Sequence, residues 1–277
     1  MGSLSNRIAL VTGASRGIGT AIAELLASEG AAVAVTARTV DEGDSRFEGS
    51  LATTVEAIRS AGGIAHPIAA DLSRPGDRIR LIEETVAELG PVDILVNNGA
   101  VTYFDPVDGF SEKRWRLMFE VQVRAPFELA QMVIPSMREA GGGSILNISS
   151  KAAIHPNPVA GSASGAGTVY GMVKAALERF STGLAAELAA DGITVNALSP
   201  TSVVATPGVV HHELITPERE DWVEDESMMA RAALALVSGE LNGRVAYSHQ
   251  LLAELGLENP PADWQLVADH PRYRREN

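Results

Sequence analysis

Apolar residues follow two alternating rhythms along this chain. Short, near-continuous runs stand at 8–12, 32–37, 64–69, 94–96, 144–150 and 194–198, the pattern of strands buried on both faces of a sheet. Between them apolar residues recur at helical spacing. Ile18, Ile22, Leu25 and Leu26 lead to Gly30, and a helix over 51–61 closes at Gly62-Gly63. Ile79, Leu81, Ile82, Val86 and Leu89 lead to Gly90-Pro91, and Leu177, Phe180, Leu184 and Leu188 form a third stripe. A helix over 228–237 and a weak strand near 244–247 complete an α/β alternation.

Two stretches break the rhythm. From Ser111 to about Ala140 apolar residues are too abundant for one narrow face, which predicts a long helical region buried on two sides and bent or interrupted at Pro126. Residues 151–168 hold Pro156, Pro158 and the small-residue run 161–167, and read as a functional loop. Residues 202–227 are first apolar and then acidic, and read as a mobile substrate loop; a polar tail covers about 259–277.

Composition narrows the possibilities. With 277 residues and 45% hydrophobic content the chain can bury one large core, so residues 1–277 are expected to form one domain. The net charge of −13 argues against nucleic-acid or anionic-membrane partners and for a small ligand. There is no cysteine, so thiol catalysis and disulfides are excluded. No apolar run approaches a membrane span, and the first strand begins by Ile8, so a cytoplasmic protein is expected. The cluster His211-His212-Glu213 lacks the spacing of the helical zinc signature, and no metal is expected.

Candidate chemistry gathers at strand ends. Thr12-Gly13-Ala14-Ser15-Arg16-Gly17-Ile18-Gly19 lies between the first strand and the first helix. Gly13 permits a tight turn, Gly17 and Gly19 permit close approach, and the helix start offers unpaired N–H groups to a pyrophosphate. At the end of the second strand stands Arg38 rather than a carboxylate. With Arg16 as a second cation it favours the 2′-phosphate of NADP(H) over NAD(H). Asp71 and Leu72 follow the third strand; Asp71 reads either as a ligand-edge residue or as the N-cap of a helix beginning near Asp77. Asn97-Asn98-Gly99-Ala100 follows the fourth strand, where side-chain amides can satisfy loop backbone and leave room for a ribose. Tyr170 and Lys174 lie one helical turn apart, so an ammonium near the phenol would favour phenolate and make a general acid/base.

With Tyr170-Gly171-Met172-Val173-Lys174 in place, the chain resembles the short-chain dehydrogenase/reductase family over nearly its whole length. The glycine turn 12–19, Asp71-Leu72, Asn97-Asn98 and Ser150 match in the same order. The resemblance implies a Rossmann-like, doubly wound parallel sheet of about seven strands with helices on both faces. It also implies nicotinamide-dependent hydride transfer and a homotetramer or homodimer. On it, Ser150 holds the substrate oxygen, Tyr170 gives or takes the proton, and Lys174 also grips the nicotinamide ribose.

The sequence departs from the family pattern at four points. Gln122 stands where an asparagine of the proton relay is usual, and Asn97-Asn98-Gly99-Ala100 inverts the usual alanine and glycine. The Ser150–Tyr170 interval is long, which leaves Ser149 as an alternative substrate holder. Pro200-Thr201 replaces Pro-Gly and the expected threonine is displaced to Thr206, with Val203 the candidate nicotinamide contact. Tyr103, Phe104, Ile154, Pro156, Val159, Val203, Val204 and Val209 point to an apolar ketone, aldehyde or alcohol. The competing readings are a cofactor-binding regulatory protein with impaired catalysis and a carbon–carbon double-bond reductase on the same fold.

Overall fold

The structure, a computed structural model, describes residues 2–45, 47–155, 167–211, 215 and 223–258. Seven strands form one all-parallel sheet: β1 (Ile8–Thr12), β2 (Ala32–Ala37), β3 (Ile64–Ala69), β4 (Ile94–Asn97), β5 (Gly143–Ile148), β6 (Ile193–Ser199) and β9 (Val245–Tyr247). Their order is β3-β2-β1-β4-β5-β6-β9, so the winding reverses between β1 and β4. At such a reversal the loops leaving the two strands diverge and open a crevice at the carboxyl edge. β1 sets that edge: Thr12 pairs with Thr36 of β2 on one side, and Val11 with Val96 of β4 on the other.

Two buried apolar layers cover the sheet. One joins it to α1 (Gly17–Ser28), α2 (Leu51–Ser60), α8 (Glu226–Ser238) and α9 (Ser248–Glu254), through Ile22, Leu26, Leu51, Ile58, Leu236 and Leu251. The other joins it to α3 (Pro75–Glu88), α5 (Ala125–Glu139) and α6 (Thr168–Leu188), through Leu81, Leu129, Val133, Met137, Leu184 and Leu188. The central strands are mostly apolar because both faces of the sheet are covered, while the edge strand β3 has exposed positions at Ile64 and Ala69.

The long helical region is interrupted next to Pro126, one of the two forms expected for it. It divides into α4 (Glu112–Phe119), a π-helical turn over Glu120–Arg124, and α5. The break comes before Pro126, which sits in the first turn of α5, where its missing N–H is tolerated. Proline has no N–H for the carbonyl of Gln122 four residues back, and Ala125 instead bonds the carbonyl of Glu120, one residue further than an α-helix reaches. The fifth strand ends at Ile148, so Ser149 and Ser150 lie just beyond it.

The expected substrate loop has more order than its composition shows. β7 (Val203–Val204) pairs in parallel with β8 (Val223–Glu224), and α7 (Pro207–His211) lies between them. Residues 212–214 and 216–222 of that loop, most of the 161–167 run, Pro156, Val159 and the tail 259–277 fall outside the described residues. Among the described residues no helix is long and apolar enough to cross a membrane.

Candidate active site

The carboxyl ends of β1, β2, β3, β4, β5 and β6 open onto one cavity of about 1610 Å³. At one end the glycine turn forms its floor. Gly13 and Gly17 have positive φ of 66° and 56°, which side chains rarely adopt. The glycines also serve contacts within the protein. A Cβ on Gly13 would lie 2.8 Å from Gly99 Cα, and one on Gly19 would lie 2.3 Å from the Gly13 carbonyl and 2.5 Å from the Asn98 amide. The space at Gly19 is therefore filled by the turn itself, and its glycine lets helix and turn interlock. A Cβ on Gly17 would meet Thr206 at 3.0 Å, so the start of the substrate loop lies over the turn.

Asn98 does what its position predicts. Its Nδ2 donates to the carbonyls of Thr12 (3.0 Å) and Gly13 (3.1 Å), while Thr12 Oγ1 accepts from the backbone N–H groups of Asn98 and Gly99. Loop and glycine turn are thereby locked together. Asn97 points elsewhere, donating to Asn147 Oδ1 in the sheet interior (2.9 Å).

Arg16 and Arg38 both line the cavity, and Arg16 has a second task. Arg16 is a loop pin: its guanidinium donates to the carbonyls of Glu48 (2.9 Å) and Gly49 (2.7 Å) and to Thr39 Oγ1, and lies over the Phe47 ring. Burial holds it below its ordinary pKa and the Arg38 charge adds to this, against Glu42. Arg38 is exposed and lines the cavity. Asp71 also lines it, with Leu72. Burial raises the Asp71 pKa, but Ser73, Arg38 and Arg74 outweigh this and leave the carboxylate below its usual range. α3 begins at Pro75 with Arg74 as its N-cap residue, and the Asp71 side chain accepts from Ser73 N–H (3.0 Å) and hydroxyl (2.7 Å), so Asp71 is not the helix cap.

At the other end of the cavity Ser150, Tyr170 and Lys174 come together. Ser150 shares a side-chain hydrogen bond with Tyr170, and Lys174 Nζ lies 5.8 Å from the Tyr170 ring centre. Ser149 is engaged by Glu178, to which its hydroxyl donates (2.7 Å). Both serines line the cavity, but they have different partners: Ser150 is beside the phenol and Ser149 commits its hydroxyl to Glu178.

The expected depression of the Tyr170 pKa is not found. Burial raises it, with the Ser150 bond opposing, because the phenol is enclosed while the ammonium is directed to the Ile148 carbonyl (2.8 Å). Burial also lowers Lys174 to about 8, with Glu178 opposing.

Gln122 is buried in the π turn. Its Nε2 donates to the Val101 carbonyl (2.7 Å), and its Oε1 has no hydrogen-bond partner among the described residues. The remaining wall is apolar: Tyr103, Phe104, Leu117, Val121, Ile154, Val203, Val204 and Val209 line it, with the Phe104 ring edge-on to Tyr170 at 5.5 Å.

Two supporting groups, Arg78 and Asn147, left no mark in the sequence, and a third, Thr201, stood out there only as a departure from the family pattern. Arg78, fully buried on α3, pairs with Glu120 (2.9 Å) and Glu128 (2.7 Å) and bonds the Leu72 carbonyl, tying the Asp71 loop to the π turn. Asn147 continues the Asn97 contact by donating to Ser181 (2.8 Å). Thr201, which replaces the usual glycine, is a hub: its N–H donates to Ser248 Oγ (3.0 Å), its Oγ1 accepts from His249 N–H (3.1 Å), and its carbonyl accepts from Lys151 (2.7 Å). Beneath it Glu224 accepts from Ser248 and from Ser202 N–H, and meets His249 Nε2 at 3.3 Å. Among the described residues no three histidine or carboxylate side chains gather as metal ligands; His212 and Glu213 are not described.

Comparison with known proteins adds an independent line. The family model described as short chain dehydrogenase matches residues 7–213. A short chain dehydrogenase of Pseudocercospora fijiensis is 36% identical over 233 residues, covering 83% of this chain and 71% of that protein. A crystal structure of a gluconate 5-dehydrogenase from Burkholderia cenocepacia, in complex with NADP and tartrate, superposes with a TM-score of 0.75. It is 27% identical and covers 88% of this chain and 94% of the other. A 3-oxoacyl (acyl-carrier-protein) reductase from Agrobacterium tumefaciens with NADP bound gives a TM-score of 0.75 at 29% identity, covering 88% and 93%.

Proposed function

The chain belongs to the short-chain dehydrogenase/reductase family of oxidoreductases, and from that premise we propose that it interconverts an apolar ketone or aldehyde and its alcohol by hydride transfer with NADP(H). The observation that carries this reading is the placing of Ser150, Tyr170 and Lys174 at the apolar end of a cavity whose other end is the glycine turn.

The protein's residues divide the work. Gly13, Ser15, Gly17, Ile18 and Gly19 shape the pyrophosphate floor, where α1 starts without a side-chain cap. Arg38, with the charge of Arg16 beside it, would receive the 2′-phosphate, and Asp71, Leu72, Asn98 and Gly99, which line the same cavity, would hold the rest of the adenosine half. Val203 would border the nicotinamide, and Lys174 would hold its ribose. The NADP-bound state of two solved relatives supports the nicotinamide assignment. When bound, the nicotinamide supplies or accepts the hydride.

In the reductive direction Ser150 holds the carbonyl oxygen and Tyr170 delivers its phenolic proton to it. The phenolate that remains has the Lys174 ammonium 5.8 Å from its ring centre. Gln122, anchored by Nε2 on Val101, offers its Oε1 to a water on the proton path. Phe104, Leu117, Ile154 and Val209 favour an apolar substituent on the carbonyl. Residues 1–277 act as one unit, and exposed Trp115, Phe127 and Met172 offer apolar surface for a homodimer or homotetramer.

The test is the nicotinamide absorbance change with NADPH, and separately NADH, against a panel of apolar ketones and aldehydes. The expected result is turnover that prefers NADPH and falls at least about a hundredfold in Tyr170→Phe, within the range for removal of a general acid. Cofactor binding without turnover on any carbonyl would overturn the reductase reading and favour a binding protein. Reduction of a conjugated carbon–carbon bond alone would move the chemistry off the carbonyl.

A further inference from the structure

The end of β5 is fastened to α6 residue by residue. Asn147 donates to Ser181, the Ile148 carbonyl accepts from Lys174, Ser149 donates to Glu178 and Ser150 bonds Tyr170. Four consecutive residues at the strand's end thus each take one partner on the helix. Tyr170, Lys174 and Glu178 stand four apart, one above another on a single helix face. The proposed function uses the first two and leaves the third without a task.

A charged side chain in that place needs an account. Glu178 is partly buried, and burial raises its pKa, while Ser149 and the Lys174 charge pull it back. It is also the charge that opposes the burial of Lys174. Other charges on the elements packed against α6 are committed elsewhere. β5 and β6 carry none. Lys151, in the turn after β5, holds the Thr201 carbonyl, and Glu120 and Arg124 of the π turn join Arg78 and Glu128. On α4, Arg114 and Arg116 pair with Asp105 and Glu112, and Lys113 is exposed; Asp191, after α6, pairs with Arg138.

We propose that Glu178 is a positioning residue of the hydride-transfer site: its hydrogen bond to Ser149 fixes where β5 delivers Ser150, and its negative charge holds Lys174 as the ammonium. This rests on the function proposed above. Glu178 touches neither substrate nor cofactor and acts through Ser149 and Lys174.

Two variants of the full chain separate the two actions. Glu178→Gln keeps an acceptor for Ser149 and removes the charge; Ser149→Ala keeps the charge and removes the bond. With Glu178→Gln the alkaline limb of the kcat profile moves down by about one pH unit, a tenfold loss on that limb. The 13Cε resonance of Lys174 titrates about one unit lower as well. With Ser149→Ala kcat falls while the alkaline limb stays in place. An unchanged Lys174 titration in Glu178→Gln overturns the charge role, and wild-type kcat in Ser149→Ala overturns the positioning role. The resonance is read without any substrate, so it decides about Glu178 even if the wild-type chain reduces no carbonyl, which would be failure of the proposed function instead.

Discussion

Glu224 is a carboxylate in an expensive place. Its side chain is 1% exposed, and burial raises its pKa to about 7 against the opposing bonds of Ser248, Ser202 and Thr201 and the Lys151 charge. Unfolded, the group titrates near its ordinary 4.5. Below that value both states are protonated and nothing is lost. As pH rises from 4.5 towards 7 the unfolded chain releases a proton that the folded chain keeps, so stability falls; above 7 the loss is complete. A shift of about 2.5 units corresponds to about 3 kcal/mol at 1.36 kcal/mol per unit. Glu224→Gln has the shape of the protonated acid and no charge to bury. Urea unfolding followed by circular dichroism at pH 5 and pH 8 is the assay, comparing variant with wild type at each pH so that other titrations cancel. The variant is expected to be more stable than wild type by about 1 kcal/mol at pH 5 and by about 3 kcal/mol at pH 8. A variant equal to or weaker than wild type at pH 8 would refute the argument, because the ionised carboxylate would then be drawing net stabilisation from His249 and the Ser202 N–H.

Two further outcomes test the supporting frame. Gly19→Ala puts a Cβ 2.3 Å from the Gly13 carbonyl, so the turn must open; NADPH affinity by fluorescence titration is expected to fall at least about tenfold, and wild-type affinity would contradict the interlock. Arg78→Leu leaves Glu120 and Glu128 with only the more exposed Arg124 as a shared cation and is expected to lose about 3 kcal/mol in urea unfolding. Adding Glu120→Gln and Glu128→Gln should restore most of that loss.

What the sequence reveals depends on whether a residue's role is local. The six apolar runs and the glycine turn are legible because strand burial and positive φ leave marks in neighbouring residues, and Tyr170-Lys174 is legible because its partners lie one turn apart. The π turn is not, since Pro126 announces an interruption but not that the carbonyl of Glu120 takes the next N–H. The choice between Ser149 and Ser150 depends on Glu178, 29 positions from Ser149. A glutamate on a helix otherwise reads as a solvated side chain, and the fully buried Arg78 is hidden for the same reason. The Tyr170 pKa turns on enclosure, which spacing does not encode. α9 is only seven residues long, too short for an apolar stripe to show.

The two cations at the cofactor end differ in how freely evolution can change them. Replacing Arg16 gives up three hydrogen bonds that hold the 39–49 segment, so a lineage altering that residue would disturb the neighbouring loop together with its choice of cofactor. Arg38 is exposed at the rim. If the 2′-phosphate is read as proposed, preference between the two nicotinamide cofactors can drift through Arg38 alone while the scaffold stays intact, and natural variants of this chain that use NAD should differ there first.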